Sequence, residues 1–133
     1  MSLLADFDWP VRVYYEDTDA GGIVYYANYL KFMERARTEW LRSIGIDLQT
    51  LADQNRSGFV VRSANLAFMR PARLSDALAV SVELKFKGKA SVSLVQKVQR
   101  SGEILCEGEI RLAHVDLNTM RPCALPDIFS GEY

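Results

Sequence analysis

The chain is short of the features that mark specialised protein classes. It has two cysteines, Cys106 and Cys123, with no CxxC spacing. That argues against a disulfide scaffold or a zinc site, and for reduced thiols in a cytoplasmic setting. No stretch approaches the ~18 consecutive apolar residues of a membrane span. The opening residues, Met1 to Asp8, lack the basic start and long apolar run of a secretory signal. The net charge is −1 and there is no basic tract, so nucleic acid is not an expected partner. Repeats, low-complexity segments and linkers are absent.

What is present is an ordinary globular composition, 49% hydrophobic and 25% charged over 133 residues. This predicts one domain, residues 1–133, with a core of useful size. Val11, Val13 and Tyr15 alternate with Arg12, Tyr14 and Glu16, which predicts a first strand over 10–16 with one buried face. From Asn28 to Ile44 the period becomes helical. Tyr29, Phe32, Met33, Ala36, Trp40, Leu41 and Ile44 share one side, with Leu30 at its edge. Gly45 is a natural terminator. Arg37 falls inside the apolar arc, so it is expected to pair with Glu34 or a turn aspartate, or to extend to solvent. A short helix over 47–54, capped by Asp47, follows.

After Gly58 the period falls to two. Strands are predicted over 59–69, 78–86, 92–98 and 104–114, with tight tips at Lys87-Gly88-Lys89 and Ser101-Gly102-Glu103. The fold class is therefore α+β: an antiparallel sheet of about five strands covering one long helix. Such a sheet leaves a face and strand ends open, which predicts self-association.

The stretch with chemical content is Asp17-Thr18-Asp19-Ala20-Gly21-Gly22, just ahead of the long helix. A carboxylate at Asp19, glycines that let a substrate approach the backbone, and free N–H groups at a helix start suit acyl transfer. A thioester fits best, because its thiol leaves without much help from an acid. The same residues also make an ordinary turn. Of the two aspartates, one is expected to position the turn while the other does chemistry. His114 and both cysteines are read as structural, since Cys106 lies roughly 26 Å along the strand from His114. Lys85, Lys87 and Lys89 read as a solvated tip.

The run from Val11 to Tyr29, followed by Glu34-Arg35-Ala36-Arg37-Thr38-Glu39, resembles the YbgC-like branch of the hotdog-fold acyl-CoA thioesterases, relatives of hydroxybenzoyl-CoA thioesterase. The likeness continues through Phe59-Val60-Val61-Arg62, Pro71-Ala72-Arg73-Leu74 and Arg121 to Pro126. It implies a hotdog fold, in which a sheet wraps a central helix, and a homodimer or homotetramer. It implies Asp19 as the catalytic carboxylate, acting as base or nucleophile, and the Tyr26 backbone N–H as the oxyanion donor. Gly22 would keep the approach open, with Asn28 and Arg62 as further substrate contacts, Arg62 toward the phosphates of coenzyme A. Residue type also nominates Asn28 as the helix N-cap. No metal or redox cofactor is implied. The implied substrate is an acyl-CoA, with acyl carrier protein as an alternative thioester carrier. Many members carry histidine in place of Tyr26, which bears on acyl preference. A non-catalytic acyl-carrier-binding or scaffold role, linked to the Tol-Pal envelope system or lipid synthesis, is the alternative. A hotdog dehydratase would need its histidine beside the carboxylate.

Overall fold

The computed structural model describes residues 5–130. The two ends of the expected domain, and half of the stretch read for a signal, lie outside the described residues. The chain runs β1 (Asp8–Arg12), α1 (Asn28–Ser43), α2 (Leu48–Thr50) continuing into a wide turn (Leu51–Asn55), β2 (Ser57–Phe68), β3 (Ala77–Ser81), β4 (Glu83–Lys87), β5 (Ser91–Arg100) and β6 (Glu103–Asp116). The strands form one antiparallel sheet in the order β1-β3-β5-β6-β2, with β4 also pairing on β5.

The long helix forms where its periodicity predicts. Tyr29, Phe32, Met33, Ala36, Trp40, Leu41 and Ile44 are all buried, and Leu30 is exposed. The helix packs on β1, β3 and β5 and is roughly 24 Å long at 1.5 Å per residue. Gly45 follows with φ +97°, the left-handed conformation that ends helices cheaply. Asp47 accepts a hydrogen bond from the Thr50 amide at 3.0 Å, as a cap should. Inward positions Val92, Leu94, Gln96 and Val98 on β5, and Cys106, Ile110, Leu112 and His114 on β6, are buried as the alternation predicts.

Four local expectations are corrected. The first strand starts at Asp8 and stops at Arg12; Tyr15 lies in a short 3₁₀ turn, Tyr15–Asp17, and is 82% exposed rather than inward. The turn wins because Asp17 donates its amide to the Tyr14 carbonyl and accepts the Tyr14 amide on its carboxylate. The strand expected over 78–86 is two strands, so the sheet has six. It breaks at Val82, whose N–H turns away to the Phe7 carbonyl, while the Lys97 amide bonds the Ser81 hydroxyl. Asn28 is the first helical residue and Ala27 the N-cap. Finally, Arg37 finds no carboxylate among the described residues: its Nη1 is buried without a hydrogen-bond partner there. Glu34 is engaged by the Thr38 hydroxyl at 2.7 Å. Burial lowers the Arg37 pKa, and Glu34 only partly offsets it.

Candidate functional site

Between β1 and α1 the chain makes a small hairpin, residues 17–19 against 23–25. Tyr25 donates to the Asp17 carbonyl at 3.0 Å, Thr18 bridges Val24, and Asp19 donates to the Ile23 carbonyl at 2.9 Å. A three-residue loop of this kind needs a left-handed residue before the return strand. Gly22 supplies it at φ +79°, and a Cβ there would meet nothing within 4 Å. The hairpin leans on the segment after β2. Val24 donates to the Ala72 carbonyl, Ile23 bridges Arg73, and the Ala72 amide donates to the Tyr29 hydroxyl at 3.0 Å.

The two aspartates have different environments. Asp17 is 5% exposed. Its Oδ2 accepts the Tyr14 N–H at 2.8 Å and its Oδ1 accepts the Asn28 side-chain amide at 2.7 Å. Asp19 is exposed, and its Oδ1 accepts the Gly21 N–H at 2.8 Å. Its other oxygen has no bond to the described residues. A Cβ at Gly21 would come within 3.2 Å of that carboxylate.

The hairpin leads into the helix start. Asn28 donates its amide to the Tyr25 carbonyl at 2.8 Å. The N–H groups of Tyr26 and Ala27 donate to nothing among the described residues. They stand at the positive end of a 16-residue helix, where a developing negative charge is favoured. The Tyr26 ring is 63% exposed, with Phe68 edge-on to it at 6.1 Å and Tyr29 at 5.6 Å from Phe68. An unpaired amide, an exposed carboxylate and an aromatic shelf thus share the helix N-terminal end.

Arg62 lies elsewhere, at the β-bulge between Val61 and Ser63. With Arg111, Ala90, Ser91, Ala113 and Pro122 it lines a depression of about 390 Å³. Neither arginine forms an ion pair among the described residues. Of the tip lysines, Lys85 pairs with Glu109 at 3.1 Å and Lys87 donates to the Phe129 carbonyl.

His114 sits near the opposite end of α1. Its Nδ1 is 2.7 Å from the Ala124 carbonyl and its Nε2 is 2.9 Å from the Ser57 hydroxyl. Its ring packs on Phe59, which meets Phe129 and through it Trp40, in the last turns of the helix. The histidine clasps the C-terminal segment and stands away from Asp19, which argues against the dehydratase chemistry. Cys123 folds back to 3.4 Å from His114 Nδ1, and burial raises its thiol pKa. Burial pushes the Cys106 thiol up to about 12, so neither sulfur is a ready nucleophile.

The sequence missed the link between Asp17 and Asn28. The only signal was that both residue types hydrogen-bond readily near helix starts.

Residues 13–131 match the family model of the thioesterase-like superfamily. The chain is 44% identical over 128 residues to the acyl-CoA thioester hydrolase YbgC of Escherichia coli O6:H1, covering 96% of this chain and 95% of that one. It is 43% identical over 120 residues to the acyl-CoA thioesterase YbgC of Haemophilus influenzae, covering 90% and 88%. Among solved structures, a probable thioesterase from Bartonella henselae superposes with a TM-score of 0.88 at 32% identity, over 92% of this chain and 100% of that one.

Proposed function

Because the chain belongs to the thioesterase-like superfamily of hotdog proteins, and by that kinship is a thioester hydrolase, we propose that it cleaves acyl-CoA thioesters with Asp19 and the Tyr26 amide as its working groups. The observation that carries this reading is the Tyr26 N–H at the helix start, without a partner among the described residues, next to the hairpin that bears an exposed carboxylate. The substrate carbonyl oxygen hydrogen-bonds the Tyr26 N–H, which stabilises the oxyanion as the carbonyl carbon becomes tetrahedral. The C–S bond then breaks and coenzyme A leaves as a thiolate, whose pKa of roughly 8.5 makes protonation unnecessary. The new oxygen comes from water, either directly, with Asp19 accepting the proton, or after Asp19 has attacked and formed an anhydride. Gly22 leaves the approach unobstructed. The aromatic shelf of Tyr26 and Phe68 is the surface available to the acyl group.

Arg62, with Arg111 beside it, offers two guanidinium groups without carboxylates to the phosphates of coenzyme A. The Asn28 side chain is spent on Asp17, so its share in substrate binding is through the shape of the helix start. The same thioester on acyl carrier protein fits this chemistry. Asp19 and Tyr26 lie on open surface, so a second chain closing over them fits the expected homodimer or homotetramer. No helix among the described residues is long and apolar enough to cross a membrane, and a cytoplasmic place in lipid or envelope metabolism goes with this reading.

The test is turnover of an acyl-CoA panel, short to long and aromatic, by wild type and Asp19→Asn. Loss of kcat by ~10²-fold or more is expected, the usual scale for a proton-transfer group. Full activity in the variant overturns the assignment. Binding of acyl-CoA or acyl carrier protein by the wild type without hydrolysis would favour the scaffold role. In a single turnover in ¹⁸O water, label in Asp19 and none in the product identifies an anhydride opened at the Asp19 carboxyl carbon, whereas attack of water on the acyl carbon puts the label in the product.

A further inference from the structure

Asp17 is the buried carboxylate among the described residues. It forms no ion pair with them, although Arg12 and Arg35 line the same shallow depression. Burying a carboxyl group without a cation forfeits much of its hydration, and a simple turn does not require it. Its hydrogen bonds show what it holds. Its carbonyl accepts the amide of Tyr25, the residue just before Tyr26. Its carboxylate accepts the side chain of Asn28, two residues after Tyr26. The second carboxylate oxygen is fixed by the Tyr14 N–H. The peptide carrying the Tyr26 N–H is thus bracketed on both sides by contacts to one residue. That residue is itself two positions before Asp19.

Resting on the thioester reading above, we infer that Asp17 is a positioning residue for the oxyanion donor. It is buried behind the hairpin, and sets the direction of the Tyr26 N–H relative to the Asp19 carboxylate. The requirement is for an acceptor toward Tyr14 and an opposite polarity toward Asn28. Asp17→Asn alone puts an NH₂ where Asn28 donates, which is relieved when the Asn28 amide turns over and presents its oxygen. Asn28→Asp alone sets two carboxylates together. The double variant restores the pattern with the partners exchanged. The amide introduced at position 17 accepts from Tyr14 and donates to the carboxylate introduced at position 28. That carboxylate sits in the first helical turn, where a negative charge is favoured.

The experiment measures kcat and KM for an acyl-CoA substrate in Asp17→Asn, Asn28→Asp, the double exchange, Asn28→Ala and Asp19→Asn. Folding is checked by thermal melting, and the Tyr26 amide is followed by ¹H–¹⁵N NMR. Asn28→Asp, which no amide flip can relieve, is expected to lower kcat by ~10²-fold with KM within about twofold, the scale of misplacing a reacting group by an ångström, whereas Asp17→Asn is expected to stay within a few-fold of wild type. The double exchange is expected to return kcat to within a few-fold of wild type and to return the Tyr26 amide resonance toward its native position. Asn28→Ala, which removes one donor from an otherwise native turn, is the gentler variant and is expected to lower kcat about tenfold. Wild-type kcat in Asn28→Ala or in Asn28→Asp overturns the inference. So does a folded double variant no more active than Asn28→Asp. Asp19→Asn keeps the two claims apart: if it is fully active, the thioester reading falls, whereas inactivity there with native kcat in the Asp17 and Asn28 variants removes only the positioning role.

Discussion

At the scale of single residues, Asp76 shows how a side chain outside the site can govern it. Its carboxylate accepts the Arg73 amide at 2.8 Å and the Arg100 guanidinium at 2.7 Å. Its own carbonyl accepts the Val13 amide, at the root of the site hairpin. Burial acts to raise the Asp76 pKa, but the Arg73 N–H and Arg100 outweigh it and hold the carboxyl below its ordinary value. A depressed folded pKa means the stabilisation is fully present above the unfolded value of about 3.9. It is lost as pH falls through the lower folded value. Thermal melting of wild type and Asp76→Asn from neutral to strongly acidic pH is expected to show this. The wild type loses the larger share of its stability below about pH 4, and the gap between the two narrows there. A gap that stays constant with pH would mean that Asp76 acts only as a neutral hydrogen-bond acceptor. The difference in burial between Asp17 and Asp19 belongs to the same scale. Their spacing was legible in the sequence, but one is buried and the other exposed only because the 3₁₀ turn rolls Asp17 inward.

At the scale of elements, the contact between α1 and β6 limits how tightly the sheet wraps the helix. Gly108 lies under Met33, and a Cβ there would sit 3.1 Å from both the Met33 sulfur and its terminal methyl, and 3.3 Å from Leu66. Gly108→Ala is therefore expected to destabilise the protein by about 1–3 kcal/mol, the range for overpacking a filled core. In a Met33→Ala background, where the obstructing side chain is gone, the same change should cost less. Chemical denaturation of the four proteins measures the coupling, and simple additivity would mean that Leu66 or the β6 backbone resists the methyl instead. The helix itself was readable in advance, from the stripe Tyr29 to Ile44 and the stop at Gly45. So were the tips at Gly88 and Gly102. The break at Val82 was not, because Leu78 to Leu84 alternate without interruption and all of their inward members are buried. The bend comes with a backbone bond from Val82 to Phe7 and a bond from the Lys97 amide of β5 to the Ser81 hydroxyl, which no local pattern records. Arg37 is similar: the arc located it, but Thr38 had already taken the carboxylate expected to pair with it.

At the scale of the whole molecule, β2 forms an edge of the sheet. Beyond Val60 it is exposed over most of its length, with Val61 at 50%, Phe68 at 50% and, just past its end, Met69 at 52%. A long edge strand carrying apolar side chains is a site for pairing with another chain. Phe68 also touches the Tyr26 ring, so a partner docked there would help to wall the candidate site. Sedimentation is expected to give at least twice the 15.0 kDa mass of one chain. Val61→Glu is expected to weaken association by at least ~10-fold, the effect of losing one well-packed interface contact. Because Val61 is half exposed in the single chain, that change should leave the fold of the protomer intact. A wild type that stays monomeric at tens of micromolar would count against the edge as an interface.

Side-chain periodicity, turn residues and one long motif are properties of neighbours along the chain, so the sequence by itself determined the helix, the antiparallel strands that follow it, the acidic and glycine turn before it, and the family. Partners set by folding are another matter. The bond between Asn28 and Asp17 spans 11 residues and that between Ala72 and Tyr29 spans 43. Only the tertiary structure decided which aspartate is buried, that the Tyr26 and Ala27 amides at the helix start lack partners among the described residues, and that Arg37 buries a guanidinium nitrogen without one. A hydrogen bond depends on where two groups meet in space, and the chain carries no local record of that meeting.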